Sequence, residues 1–407
     1  MADDLISVDE ARLRVDAFMS PVSHIERVPL RLAAGRILAR SVFAQIENPR
    51  FDQSAMDGYA IRLQDLQEGS TRLRLGGRIV AGSQARCGQQ GEAIRIFTGA
   101  PLPPGYDAVI MQEHVTRDGE FIHFNYPVKR GDNIRRRGED IACGAVLLTK
   151  GQRLDARHVA LLAGQGYGEI DVFSRVRVVV ISTGNELRQI GQPLDDAAIY
   201  DSNRETIMAL ARAAGADVID GGAVADSPIV IAGRLSELIG RADLIVTTGG
   251  ASVGEEDHCA EAFQYSGGHL ENLKIAMKPG KPAIVGRCGP SAYLGLPGNP
   301  IAAIVVWWLL GETMLKAAQG CDSASPPFQL LPSKAEFAHK PGRTEFVPAR
   351  LAQGPNGIMA EIIGRGGSAR LLPLIQADGF VEIPANQGSI QSGDLLRFRS
   401  FFVGLTV

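Results

Sequence analysis

The stretch DLIVTTGGASVGEEDH (243–258) opens on an apolar run, Asp243 to Thr248, and passes directly into a loop of glycines, hydroxyls and acids. A short continuous apolar run closed by glycine is how a strand covered on both faces reads. Arg177 to Ser182, Val218 to Val224 and Ala292 to Leu296 repeat the pattern, with helical periodicity between or after them. Such alternation predicts a mostly parallel sheet with helices on both faces. Ser202 stands three residues before Glu205 as a capping box, and Ile207, Leu210, Ala211 and Ala214 share a face before Gly215. Ser227-Pro228 and Asn299-Pro300 each set a capping side chain before a first-turn proline, and Ile301 to Gln319 follows as a long, buried helix.

Outward from this segment the texture changes. Val8 to Arg40 reads as helical with a break at Val28-Pro29. Leu73 to Leu75, Ala93 to Phe97, Ala108 to Gln112 and Phe121 to Tyr126 are short β-like runs separated by Gly, Pro and Asp, and Ala156 to Gly164 is helical again. Asp322 to Pro327 reads as a linker, followed by strand-like Gly357 to Ile363, Gly379 to Ile383 and Asp394 to Arg399. The expected division is a discontinuous helical and mixed domain over 1–47 and 138–174, a β-rich insertion over 48–137, an α/β domain over 175–321 and a β-barrel-like domain over 322–407.

Composition removes several functions. The 407 residues carry 42 basic and 45 acidic side chains, so a general nucleic-acid binder is not expected and any anion site must be local. Cys87, Cys143, Cys259, Cys288 and Cys321 are scattered, which fits neither a disulfide framework nor a structural zinc site. Ile301 to Leu310 is too short an apolar run for a bilayer, which needs about twenty residues. Met1 to Glu10 is acidic where a signal peptide is basic, so the expected location is the cytoplasm, away from membranes.

In open α/β sheets ligands bind beyond the carboxyl ends of the strands. Four polar loops fall there: Ser182 to Glu186, Ala225 to Ser227, Thr247 to Asp257 and Gly295 to Pro300. Gly249, Gly250 and Gly254 let backbone N–H groups converge on an anion, and the helix start at Asn299-Pro300 adds a positive dipole end. Ser182, Thr183, Ser252 and Asn299 are the polar candidates for substrate contact in the same loops. Glu186, Asp226 and Asp257 would repel phosphates unless Mg²⁺ intervened, although Asp226 also suits a helix cap and the other two suit solvated loops. Lys274 and Lys278 share a face in an extended strand, and the Pro279-Gly280 turn swings Lys281 toward them, a cluster suited to an oxyanion or, alternatively, a solvated face. Arg135 to Arg137 and Asp57-Gly58 read equally as simple turns.

Taken in chain order, FDQSAMDGYA (51–60), FTGAPLPPGYDAVIMQE (97–113), RRRGEDI (135–141), STGNEL (182–187), IYDSN (199–203), TTGGASVGEEDH (247–258), KPGKP (278–282) and GLPGNP (295–300) resemble the MoeA family of molybdopterin molybdenumtransferases, related to gephyrin and plant Cnx E domains. The resemblance implies an α/β multidomain fold with a MogA-like α/β domain. It implies an enzyme that inserts molybdate into the dithiolene of adenylylated molybdopterin, with Mg²⁺-dependent release of AMP. By similarity, Lys278, Lys281, Arg350 and Ser368 are implied molybdate contacts, with Pro297 and Pro300 fixing the adjoining backbone. Asp57, Thr98 and Asp140 match residues that reach the substrate from a partner subunit, which implies a homodimer with a shared site. Other proteins of molybdenum cofactor biosynthesis would be further partners. Asn185 departs from the family's frequent Asp, and GRTEFVPAR (342–350) and GRGGSAR (364–370) match only as short islands. An adenylyltransferase and a molybdopterin-binding scaffold are the alternatives, and AMP release separates them from the transferase.

Overall fold

Arg177–Thr183 is an interior strand of a six-stranded sheet, buried from Val178 to Thr183. This computed structural model describes residues 5–66, 71–84, 87–249, 258–321, 328–364 and 369–401. Val178 and Val180 pack into one buried cluster with Ile207, Ala211 and Trp307. Val179 and Ile181 pack on the opposite face with Ile231, Leu235 and Phe263. Both faces of the strand are therefore dry, as a continuous apolar run requires.

The chain divides into two compact units, one of Met1–Arg40, Lys150–Ala160 and Gly168–Val407, the other of Ser41–Thr149 and Leu161–Tyr167. In the first, the sheet runs Asp217–Val224, Arg177–Thr183, Leu244–Thr248, Ser291–Leu296, Pro282–Cys288, His269–Lys274. The first four strands are parallel; Pro282–Cys288 pairs antiparallel with Ser291–Leu296, and His269–Lys274 pairs antiparallel with Pro282–Cys288. Ser202–Ala213, Val8–Asp16 and the helix from Pro300 cover one face; Pro228–Leu238 and His258–Tyr265 cover the other. The fold is mixed α/β with several sheets.

Pro300–Ala318 has the length and apolarity of a membrane span, yet 78% of its most apolar window is buried in the protein, which makes it a core helix. It contains a π-helical turn over Trp307–Gly311. A Cβ on Gly311 would stand 2.4 Å from the Trp307 ring, so the bulge and the indole need glycine there.

A second sheet of this unit runs Met277–Lys278, Thr344–Gly354, Gly379–Ile383, Leu395–Ser400 and Gln329–Pro332, with Gly357–Ile362 on Thr344–Gly354. Val347, Val381, Ile383 and Phe398 form its core. Met277–Lys278 joins this sheet by parallel pairing, with Lys278 opposite Glu345, and so the lysine-rich segment links the two sheets.

The other unit is built on a six-stranded sheet that includes Gly58–Ile61, Arg72–Ile79, Glu92–Ile96, Ala108–Met111 and Phe121–Phe124. Gly58 does not turn the chain: it begins a strand, and a Cβ there would meet the Ile110 carbonyl at 1.9 Å.

Three local expectations are corrected. The helix expected over Val8–Arg40 covers only Val8–Asp16; Ile25–Pro29 is a strand paired with Glu169–Phe173, because Pro21 and Pro29 remove helical N–H donors. The cap of Ser202–Ala213 is Asp201, whose carboxylate accepts from the Arg204 N–H, and Ser202 is the first helical residue. Ser227 and Asn299 occupy cap positions without a side-chain cap bond, each followed by its proline.

Candidate active site

A cleft of about 690 Å³ opens beyond the carboxyl ends of the parallel strands, in the first unit. Thr183, Glu186, Asp226, Gly249, Pro297 and Asn299 line it from the sheet side. Lys278, Lys281, Arg343, Glu345 and Arg370 line it from the neighbouring sheet and its loops. The volume and the position at strand carboxyl ends are those of a small-molecule site.

Each wall has a local cause. Gly249 has φ +89°, and a Cβ on it would stand 2.5 Å from the Thr183 carbonyl, so the two strand ends approach only because glycine is present. Asn203 Nδ2 donates to the Gly298 carbonyl at 2.7 Å, which ties the GLPGNP turn to the first turn of the Ser202–Ala213 helix. Gly280 takes φ +97° and the Ile275 N–H donates to the Lys281 carbonyl at 2.8 Å, closing the turn that sets Lys278 and Lys281 on one cleft.

Asp226 and Glu186 reach the cleft from adjacent loops. Asn185 Oδ1 accepts the Asp226 N–H at 3.1 Å, which joins those loops. Asp226 Oδ1 is buried and makes no hydrogen bond to a described residue. Ser227, not Asp226, holds the helix cap position. A buried carboxylate oxygen without a donor is costly unless a cation or bound molecule completes it. Glu186 folds back over Gly184, where a Cβ would be 2.6 Å from Glu186 Oε2. Among the described residues no cluster of three or more Cys, His, Asp or Glu has metal-binding geometry. Two cleft carboxylates with one unpartnered oxygen nevertheless suit a hard divalent ion that completes its shell with substrate oxygens and water.

Not every expected residue meets the cleft. Ser182 is fully buried, and its hydroxyl donates to Asp201, so it braces the helix start rather than facing a ligand. Lys274 ends the edge strand, in register with Pro282, and Pro300 is the first residue of its helix; neither lines the cleft. Arg350 also stands off the lining: its Nε donates to Glu361 Oε2 at 2.9 Å, a bond that raises the guanidinium pKa. Gly250, Ser252, Gly254, Asp257 and Ser368 lie outside the described residues.

In the other unit, Asp57 Oδ1 accepts both the backbone N–H and the hydroxyl of Thr98, each at 2.8 Å. Those bonds, the backbone one foremost, hold the Asp57 carboxyl below its ordinary range. Asp140 Oδ2 accepts from Asn48 Nδ2 at 2.9 Å. Arg136 pairs with Asp52 at 2.6 Å, and the Arg137 N–H donates to the same carboxylate at 2.9 Å. The arginine run and FDQS therefore brace one another.

Arg343, Glu345 and Arg370 were not singled out from sequence. They sit inside GRTEFVPAR and GRGGSAR; the strand pairing of Lys278 with Glu345 brings Arg343 and Glu345 to this cleft, and Arg370 lines it from the segment before Leu372–Ile375. Neither the Arg343 nor the Arg370 guanidinium makes a hydrogen bond or ion pair to a described residue, whereas Lys278 Nζ lies 2.8 Å from Glu345 Oε1.

Residues 6–166 match the MoeA N-terminal region (domain I and II), residues 179–317 a probable molybdopterin binding domain, and residues 331–400 the MoeA C-terminal region (domain IV). A protein named molybdopterin molybdenumtransferase from Haemophilus influenzae is 34% identical over 98% of this chain and 99% of its own length. One of the same name from Bacillus subtilis is 32% identical over 95% and 92%. A crystal structure of the molybdopterin biosynthesis MoeA protein from Pyrococcus horikoshii superposes with a TM-score of 0.79 at 31% identity, covering 98% of this chain and 100% of the other. These matches run across both compact units, and the chain belongs to the MoeA family.

Proposed function

We propose that the cleft takes adenylylated molybdopterin and molybdate, transfers the metal to the dithiolene and releases AMP. The chain is a transferase of molybdenum cofactor biosynthesis by family; substrates, cofactor and residue roles are the proposal. One observation carries it: the same cleft is lined by Glu186 and Asp226 on one side and by Lys278, Lys281, Arg343 and Arg370 on the other. A substrate with a phosphate chain at one end and an oxyanion to receive at the other needs both kinds of wall.

Glu186 and Asp226 would hold Mg²⁺, with Asp257 as a further candidate. The bound ion supplies charge compensation between carboxylates and substrate phosphates. The turn over Gly295 to Pro300 and Gly249 keep backbone close to the phosphates without side-chain interference. Lys278 and Lys281 present ammonium groups to the molybdate dianion, and Arg343 and Arg370 add planar donors. Asp57, Thr98 and Asp140 reach the substrate from the second subunit of a homodimer in this proposal, and the cytoplasm is the expected location.

The test is incubation of the purified protein with adenylylated molybdopterin, Mg²⁺ and molybdate, with AMP quantified by chromatography. Release of AMP that needs all three supports the proposal. Consumption of ATP with unadenylylated molybdopterin, and no AMP release, would assign an adenylyltransferase instead. Binding of the substrate without turnover would assign a scaffold.

A further inference from the structure

The lysine expected to hold the oxyanion already has an anion. Lys278 Nζ donates to Glu345 Oε1 at 2.8 Å, and the two residues are opposite partners where Met277–Lys278 pairs with Thr344–Gly354. The partners are unequal: the Lys278 side chain is 58% exposed, whereas that of Glu345 is 14% exposed. Glu345 is therefore the fixed member and Lys278 the movable one. The other Glu345 oxygen lies 3.9 Å from Nε2 of the buried His339, whose ring nitrogens face the carbonyls of Gln387 at 2.8 Å and Arg343 at 3.2 Å. The carboxylate thus backs onto a packed loop, and Glu345 also lines the cleft.

Resting on the reading of the cleft as an oxyanion site, we infer that Glu345 is a resident anion that competes with the incoming oxyanion for Lys278 and so sets its affinity. A dianion that draws Lys278 toward itself breaks the ion pair and leaves a second negative charge in the same cleft. Repulsion between the two then opposes binding. The arrangement favours release as much as capture: once the oxyanion leaves, Glu345 takes back the lysine. Glu345 touches no reacting atom in this account. It is a specificity- and affinity-setting residue acting through Lys278.

The experiment is titration calorimetry of the full chain with molybdate alone, comparing wild type, Glu345→Gln, Lys278→Ala and the double variant. Glu345→Gln keeps the shape and removes the charge. It is expected to bind molybdate about five- to tenfold more tightly, as removal of a like charge beside a bound anion does. Lys278→Ala is expected to weaken binding, and the gain from Glu345→Gln should shrink when Lys278 is absent, because the two residues are coupled. Should Glu345→Gln fail to fold, Glu345→Asp withdraws the carboxylate by one methylene and is expected to change affinity in the same direction. Lys278-dependent binding that is unchanged or weakened in a folded Glu345 variant would overturn the inference and leave the cleft reading intact. Wild-type binding absent, or indifferent to Lys278, would overturn both.

Discussion

Asn185 Oδ1 accepts the backbone N–H of Asp226 at 3.1 Å, so one amide side chain fixes the spacing between the two loops that carry the cleft carboxylates. An Asp at this position would retain the acceptor. Asn185→Asp is expected to keep AMP release within about twofold, whereas Asn185→Ala loses a bond worth about 1 kcal/mol and should raise the Mg²⁺ requirement severalfold. Mg²⁺ titration of AMP release in the two variants checks this; equal behaviour would detach the tether from the metal.

The Asp57 carboxyl titrates low because Thr98 donates to it from its N–H and its hydroxyl. A depressed folded-state pKa contributes stability that is fully present above the unfolded-state value of about 3.9 and is lost as pH falls through the folded value. Thr98→Val removes the hydroxyl donor and keeps the N–H. Its Asp57 pKa should rise toward the ordinary range in a ¹³C NMR titration, and the stability gap to wild type should close as the solution is acidified. A titration identical to wild type would show that the hydroxyl does not act on the carboxylate.

Asp201 is 2% exposed, caps Ser202–Ala213, accepts from Ser182 and pairs with the buried Arg204 at 2.9 Å. Arg204 keeps Asp220 as a second partner, but Asp201→Ala removes both the helix cap and a buried charge-assisted bond and should destabilise this unit by about 2–3 kcal/mol. Ser182→Ala removes only a neutral donor and should cost less, about 1 kcal/mol. Urea midpoints followed by Trp307 and Trp308 fluorescence give the comparison, and equal losses would contradict the assignment of Asp201 as the hub.

Arg343 and Arg370 line the cleft, whereas Arg350 is engaged with Glu361. Arg343→Ala and Arg370→Ala are each expected to weaken molybdate binding about three- to tenfold, the loss of one charge-assisted contact. Arg350→Ala should leave it unchanged. A reversed order would move the oxyanion toward the Arg350–Glu361 pair.

The strands at Arg177–Thr183, Leu244–Thr248 and Ser291–Leu296 were legible because a strand buried on both faces must be apolar throughout, and the loops after them because glycine alone fits where Gly249 meets Thr183. Ser182 was misleading for the same reason: it lies at the apparent strand end, but the strand continues to Thr183 and the hydroxyl turns to Asp201. Local pattern also could not separate Asp201 from Ser202 as the cap, since both are good capping residues and the choice is made by buried Arg204. The largest gap was Arg343, Glu345 and Arg370. The place of Arg343 and Glu345 depends on the pairing of Met277–Lys278 with Thr344–Gly354, and that of Arg370 on a segment outside any strand; these are contacts between stretches far apart in the chain that no periodicity encodes.

Anomalous diffraction from crystals soaked in tungstate, used as a heavy analogue of molybdate, tests the central claim most directly. A tungsten peak is expected inside the cleft, within hydrogen-bonding reach of Lys278 or Lys281 and of Arg343, with the Lys278–Glu345 contact lengthened. A well-occupied peak elsewhere on the chain, with this cleft empty and the ion pair unchanged, would contradict it.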